Sequence, residues 1–171
     1  MKKQLYIFDL DDTLVYCDEH IVVKDNNYDI KEYRSAEYFT QVSKPIQPMI
    51  NWLKKIAITS DVHILTARLN FDNFENFKIC MENLGVPMTN IVVHFAGKNW
   101  PRLITSESKA EIIANIVKEN NYESISFFDD RLDNIEAVYK VINELKSNIV
   151  VCCHLVIYDK ISGVVTQEYI V

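Results

Sequence analysis

Apolar residues in this chain keep two rhythms, and the rhythm changes repeatedly along the sequence. Short apolar runs that suit buried strands stand at Gln4–Phe8, Val62–Leu65, Ile91–Phe95 and in SISFF, Ser124–Phe128. Segments with helical spacing lie between them. QPMINWLKKIA sets Met49, Ile50, Leu53 and Ile56 on one face, with Pro48 suited to a first helical turn. The spacing predicts a second helix over Asn70–Leu84, which leads through Gly85 and Pro87 to the next strand. After a loop holding Gly97, Trp100 and Pro101, a third is expected in SKAEIIANIVKEN. There Ser108 and Glu111 have capping-box spacing, and Ile112, Ile113, Ile116 and Val117 supply the stripe. A fourth carries Ile135, Val138, Tyr139, Ile142 and Leu145.

Strands that alternate with helices imply a parallel sheet with right-handed crossovers. The expected fold is therefore α/β, a Rossmann-like three-layer sandwich with a mainly parallel central sheet. Two segments break the rhythm. Val15–Lys44 is polar and aromatic-rich without a clean period, which makes it a small insertion after the first strand, a cap or flap over 15–45 with Tyr38 and Phe39 as its core. In the tail, IVVCCHLVIY and GVVTQEYIV flank DKISG, a turn containing Gly163, so a C-terminal β-hairpin is expected as an antiparallel extension at one sheet edge.

Composition narrows the classes. The 171 residues fit one domain spanning 1–171, and 49% hydrophobic content with only three Gly and four Pro excludes a disordered chain. A formal net charge of -6 argues against a stable complex with nucleic acid, which needs Lys and Arg along the phosphate track. A nucleotide or a nucleic-acid end remains compatible. The apolar run after Lys2 and Lys3 is cut by Asp9, too early for a signal peptide, and Ile149–Tyr158 is about half the length of a membrane span. No membrane association is expected. Cys17, Cys80, Cys152 and Cys153 lack metal-finger spacing and read as small apolar residues in a reducing compartment, which makes the expected location cytoplasmic.

In doubly wound sheets, ligands sit beyond the carboxyl ends of the strands. Those positions hold Asp9 and Asp11 after the first strand, Thr66 and Arg68 after the second, and Asp129 and Asp130 after SISFF. Lys109 opens the helix feeding SISFF. A cation at a first helical position faces the positive end of the helix dipole, and a nearby anion would explain it. Carboxylates meeting from two strand ends repel unless a cation lies between them, and oxygen-only ligands favour Mg²⁺.

These residues resemble the four motifs of the haloacid dehalogenase-like superfamily, which consists mainly of Mg²⁺-dependent phosphatases. DxDxT is met by Asp9, Asp11 and Thr13, the strand ending in threonine by VHILT with Thr66, the lysine by Lys109, and the closing acidic motif by FFDD with Asp129 and Asp130. The resemblance implies Asp9 as nucleophile, Asp11 as general acid and base, and Thr66 and Lys109 as partners of the phosphoryl group. It also implies Mg²⁺ held by Asp9, the Asp11 backbone carbonyl and the Asp129–Asp130 pair, with either of that pair as the direct ligand. FFDDRLDN resembles the closing motif of small magnesium-dependent phosphatases and of the phosphatase domain of bacteriophage polynucleotide kinase, with Asn134 bracing the site from behind.

Thr13, Arg68 and Arg131 are the candidate substrate contacts, although both arginines also suit surface salt bridges and Asp133 suits a helix cap. The small insertion implies a site open to bulky phosphate esters: a nucleotide, a nucleic-acid 3′-phosphate end, or a protein or sugar phosphate. Two other classes use similar residues. A phosphorelay receiver normally takes its acceptor from a central strand, whereas IVVHF here ends in Ala96 and Gly97. A non-catalytic binding module would have no need to keep every chemical position. His63, His94 and His154 lie within strands and read as packing residues.

Overall fold

The computed structural model describes residues 3–17, 23–24, 27–28, 34–99, 104–145 and 148–169. Much of the insertion, together with Trp100 and Pro101, lies outside them. A six-stranded sheet forms the centre: β1 (Gln4–Phe8), β6 (Asp61–Thr66), β7 (Val92–Phe95), β8 (Ser124–Asp129), β9 (Val150–Asp159) and β10 (Val164–Tyr169). Their order is β10-β9-β8-β1-β6-β7. All neighbours are parallel except β9 and β10. The chain runs outward from β1 to β6 and β7, then returns to β8 on the other side of β1. That reversal is a topological switch point, and it opens a crevice at the carboxyl end of β1.

β1 is buried on both faces because its residues alternate between two cores. Phe8 joins α1 (Ala36–Val42), α2 (Gln47–Ile56) and α3 (Phe74–Asn83) through Phe39, Met49, Leu53 and Phe77. Leu5 and Ile7 join α4 (Thr105–Glu119) and α5 (Leu132–Glu144) through Ala110, Ile113, Ile135 and Val138. Each fully buried Phe, Leu or Ile contributes roughly 1.5–3 kcal/mol. Three layers result, as the alternation of strand and helix patterns requires.

Three boundaries differ from the sequence reading. α3 begins at Phe74 rather than Asn70, because the Asn73 side chain accepts the Asn76 N–H at 3.0 Å and caps the helix there. α4 begins at Thr105, so Ser108 is no cap; its hydroxyl is buried and donates to the Ala96 carbonyl at 2.7 Å. The tail is only half antiparallel, since β9 pairs parallel with β8 and β10 alone reverses. The turn between them places Gly163 at φ 71.

The insertion leaves and re-enters the core through a two-stranded neck. β2 (Val15–Cys17) pairs antiparallel with β5 (Ser43–Pro45), and a two-residue pairing, β3 (Val23–Lys24) with β4 (Asn27–Tyr28), lies between them in sequence. Phe39 of α1 is buried, as expected of the insertion core, and meets Phe71 and Phe77 at 5.2 and 5.5 Å. The four cysteines are free thiols. Among the described residues no helix is long and apolar enough to cross a membrane.

Candidate active site

Register sets the first part of the site. Phe8 pairs with Phe128 and their rings stack at 4.7 Å, so Asp9 and Asp129 leave adjacent strands side by side. The Asp9 N–H is tied to the Phe128 carbonyl at 2.8 Å. From the opposite layer, α4 delivers Lys109, whose buried Nζ donates to Asp9 Oδ1 at 2.6 Å and to Asp129 Oδ2 at 2.7 Å. The other Asp129 oxygen accepts the Arg131 N–H and Asn134 Nδ2, both at 2.9 Å. Asp129 is thus engaged on both sides. Asp130 completes a group in which the Asp9, Asp129 and Asp130 carboxylates offer oxygens within 4.8 Å of one another.

The charges around Lys109 do not balance. Burial pushes Asp9 well above the usual carboxylate range; Lys109 pulls the other way, and Asp129, Asp11 and Asp130 add to the rise. Burial and then the Asp129 charge push Asp130 up to about 6. Burial pulls the Lys109 ammonium downward, but the Asp9 and Asp129 carboxylates outweigh it and hold it above the usual lysine range. Three carboxylates face one ammonium, and among the described residues Asp130 accepts no side-chain donor. Two buried polar atoms nearby in sequence, Thr13 Oγ1 and Asn134 Oδ1, also have no hydrogen-bond partner among the described residues. A divalent cation with its waters suits this donor set, because all the atoms offered are oxygens.

The second part sits at the end of β6. Arg68 is buried and forks onto Asp11, with Nη2 at 2.6 Å from Oδ1 and Nε at 2.9 Å from Oδ2. Thr66 Oγ1 lies 3.4 Å from Asp11 Oδ2 and accepts the Arg68 N–H at 3.1 Å. The guanidinium is flanked by Phe39 of the insertion at 5.0 Å and by Phe71 at 5.6 Å. Asp11 itself is about a third exposed, its side chain at 32%. The turn that carries it is tight: Asp12 has φ 57, and its N–H donates to the Val15 carbonyl at 2.7 Å.

The structure therefore brings Asp9, Lys109, Asp129 and Asp130 together, and Asp11, Thr66 and Arg68 beside them. Arg131 is set apart: its guanidinium is exposed and pairs with Asp133 at 2.9 Å, and only its backbone N–H serves the site. Asp133 lies inside the first turn of α5 rather than at its N-cap, which is Arg131. Lys109 is not at the head of its helix but one turn in, so its proximity to carboxylates, rather than a conflict with the helix dipole, explains its charge.

Sequence reasoning missed the role of Gly97. A Cβ there would lie 2.5 Å from the Ala67 carbonyl oxygen and 2.8 Å from Arg68 backbone atoms, so only glycine lets the Thr66–Arg68 segment sit where it does. It also missed the aromatic flanks of Arg68, since Phe39 and Phe71 are far apart in sequence. A cavity of about 620 Å³ lined by Val117, Tyr122, Leu145 and Ile149 lies at the opposite, amino-terminal end of β8 and holds none of these groups.

No family profile and no curated protein sequence matches the chain. Solved structures do. The HAD domain of effector protein Lem4 from Legionella pneumophila, as an inactive mutant, aligns with a TM-score of 0.60 at 12% identity, over 90% of this chain and 85% of that one. The same domain in the structure not described as a mutant aligns with a TM-score of 0.59 at 14% identity, with the same coverage. Identity this low speaks for architecture alone. With its β1 switch point, mainly parallel sheet and terminal hairpin, the chain has a haloacid dehalogenase-like (HAD) Rossmann-type fold.

Proposed function

We propose that the chain is a Mg²⁺-dependent phosphomonoester hydrolase working through a phosphorylated Asp9. The observation that carries this reading is the buried Lys109 bridge between Asp9 and Asp129, with Asp130 adding a third carboxylate that accepts no side-chain donor among the described residues. Asp9, Asp130 and Asp129 would hold the ion together with the Asp11 carbonyl, Asp130 being the freer of the acidic pair. Bound there, the ion supplies neutralising charge for an anionic ester and keeps the carboxylates ionised.

The remaining work falls to this chain's own groups. Lys109 occupies one oxygen of Asp9, and the other attacks phosphorus in line as the ester P–O bond breaks. Asp11 gives its proton to the leaving oxygen, then takes one from the water that cleaves the acyl phosphate. Arg68 and Thr66 hold the Asp11 carboxylate in place between those transfers.

A nucleotide or a nucleic-acid 3′-phosphate end is the substrate class favoured. LTAR and FFDDR resemble the corresponding parts of polynucleotide kinase phosphatase domains, and the net charge of -6 suits a short end better than a long duplex. The test is release of phosphate from an aryl phosphate with Mg²⁺ and after chelation, in the native chain and in Asp9→Asn. Turnover that needs Mg²⁺ and disappears in the variant is expected. Turnover that survives Asp9→Asn, or its absence across aryl, nucleotide, oligonucleotide, sugar and peptide phosphates, overturns the proposal.

A further inference from the structure

The C-terminal hairpin reaches over the same end of the sheet as the acidic cluster. β9 pairs with β8 only as far as Leu155 opposite Asp129. Val156–Asp159 then run on beyond the carboxyl edge, roughly 13 Å at about 3.3 Å per residue, paired only with β10. This overhang is docked, because Gln167 Nε2 meets Met49 Sδ at 3.3 Å and the Tyr158 ring meets Tyr16 of the insertion neck at 5.2 Å.

At its tip, Lys160 Nζ lies 3.7 Å from Asp12 Oδ1 and 5.4 Å from the centre of the Tyr16 ring. Asp12 directly follows Asp11, and the neighbouring Cys17 thiol, raised by burial, also feels the charges of Asp11, Arg68 and Asp12. The neck, the hairpin tip and the proposed acid therefore share one rim.

Closing the turn does not explain Lys160. The tip is satisfied by Asp159, whose Oδ1 accepts the Ile161 N–H at 2.9 Å and whose carbonyl accepts the Gly163 N–H at 2.8 Å. Lys160 instead stretches back toward the strand that carries the acidic groups, half exposed, with a tyrosine ring under it. From this juxtaposition we infer that the hairpin tip is a leaving-group subsite: Lys160, with Tyr16 and Tyr158, receives the flat aromatic part of a phosphate ester. A ring on the ester would take the place Tyr16 now holds against the ammonium. The inference rests on the phosphatase reading and adds a specificity element to it.

The test compares matched substrates that differ in having a ring: phenyl against methyl phosphate, and a nucleoside 5′-monophosphate against ribose 5-phosphate. Each ratio of kcat/KM is taken in the native chain, in Lys160→Ala and in Lys160→Arg, so intrinsic reactivity cancels between variants. Lys160→Ala is expected to lower at least one ratio about fivefold or more, with an unchanged thermal midpoint, and Lys160→Arg to restore most of it. The pair that moves says whether the ring is a phenol or a nucleobase. Ratios unchanged in Lys160→Ala overturn the subsite, as does a loss that Lys160→Arg does not restore. A native chain that hydrolyses none of the four on Mg²⁺ addition, nor any other ester tested above, overturns the phosphatase reading and the subsite with it.

Discussion

Two basic side chains are buried at the carboxyl end of this sheet, and they are paired differently. Lys109 stands between Asp9 and Asp129 with Asp130 alongside, so acid outnumbers base and every partner but Asp130 is buried. Arg68 forks onto Asp11, a carboxylate that still reaches water. An excess of negative charge in a dry place calls for a further cation. A forked pair at the water's edge can hold a carboxylate that must gain and lose a proton. On the proposed phosphatase reading, the difference separates a place for a metal from a place for acid–base chemistry, a few residues apart on one rim.

Removing Lys109 should hurt most. Lys109→Ala leaves Asp9 and Asp129 buried without their cation, at a cost of ~3–5 kcal/mol, which for a chain of this length lowers the thermal midpoint by roughly 10 °C. Proton uptake by Asp9, already pushed upward by burial, limits the loss, so the variant should regain stability as pH falls toward 5. Calorimetry at two pH values measures both effects. A variant as stable as the native chain would show that the bridge is not holding the two carboxylates.

Adding Mg²⁺ sharpens the same contrast from the other side. At a hundredfold excess over its Kd the ion should raise native stability by ~2.7 kcal/mol. Asp130→Asn should abolish most of that gain, whereas Arg68→Ala should leave it nearly intact because the Asp11 carboxylate lies outside the acidic group. A thermal shift lost equally in both variants would merge the two regions into one.

Arg68→Ala comes next, with a cost of ~1–3 kcal/mol from the lost fork and the lost cover of Phe39 and Phe71. Its larger signature is kinetic: kcat should fall about 10–100-fold, less than the ~10²–10⁴-fold of a lost acid–base group, because the Asp11 carboxyl itself remains. Arg68→Lys restores charge but not the two-oxygen fork, so it should recover stability better than kcat. A variant with unchanged kcat would make Arg68 a packing residue only.

How legible these two regions were in the sequence follows from how each is built. Asp9, Asp129 and Lys109 stand at strand ends or on the feeding helix in a fixed order, and hydrophobic periodicity alone marks those ends. Asn134 was readable only through the resemblance of FFDDRLDN to a known closing motif. The Arg68 pair was only half readable. LTAR announces an arginine after a strand, but its burial comes from Phe39 in an insertion without period, and its path comes from Gly97, thirty residues on. Ser108 misled because a serine before an acidic residue has the same spacing as a capping box whether the helix begins there or, as here, at Thr105. The parallel course of β9 was hidden because a hairpin turn fixes the relation of its own two strands and says nothing about the next neighbour.

A half-buried pair, remote from the acidic cluster in charge if not in sheet, gives the smallest effect and a control for the others. His63 on β6 and His94 on β7 meet at 3.1 Å between Nδ1 and Nε2, one ring donating to the other. Burial, and then the neighbouring His94, hold His63 down to about 4, while Asp61 pulls weakly the other way; burial lowers His94 too. The unfolded chain then binds a proton near pH 6.5 that the folded chain refuses until about pH 4. Stability is complete above pH 6.5 and falls through that window as pH drops, by ~1–2 kcal/mol once partial solvent access is allowed for. His63→Gln should flatten that slope without touching the Mg²⁺-linked gain in stability. Lys109→Ala should flatten the net slope by another route, because its carboxylates gain from acid what the histidines lose. If His63→Gln left the acid slope unchanged, the His63–His94 pair would not be the source of the loss.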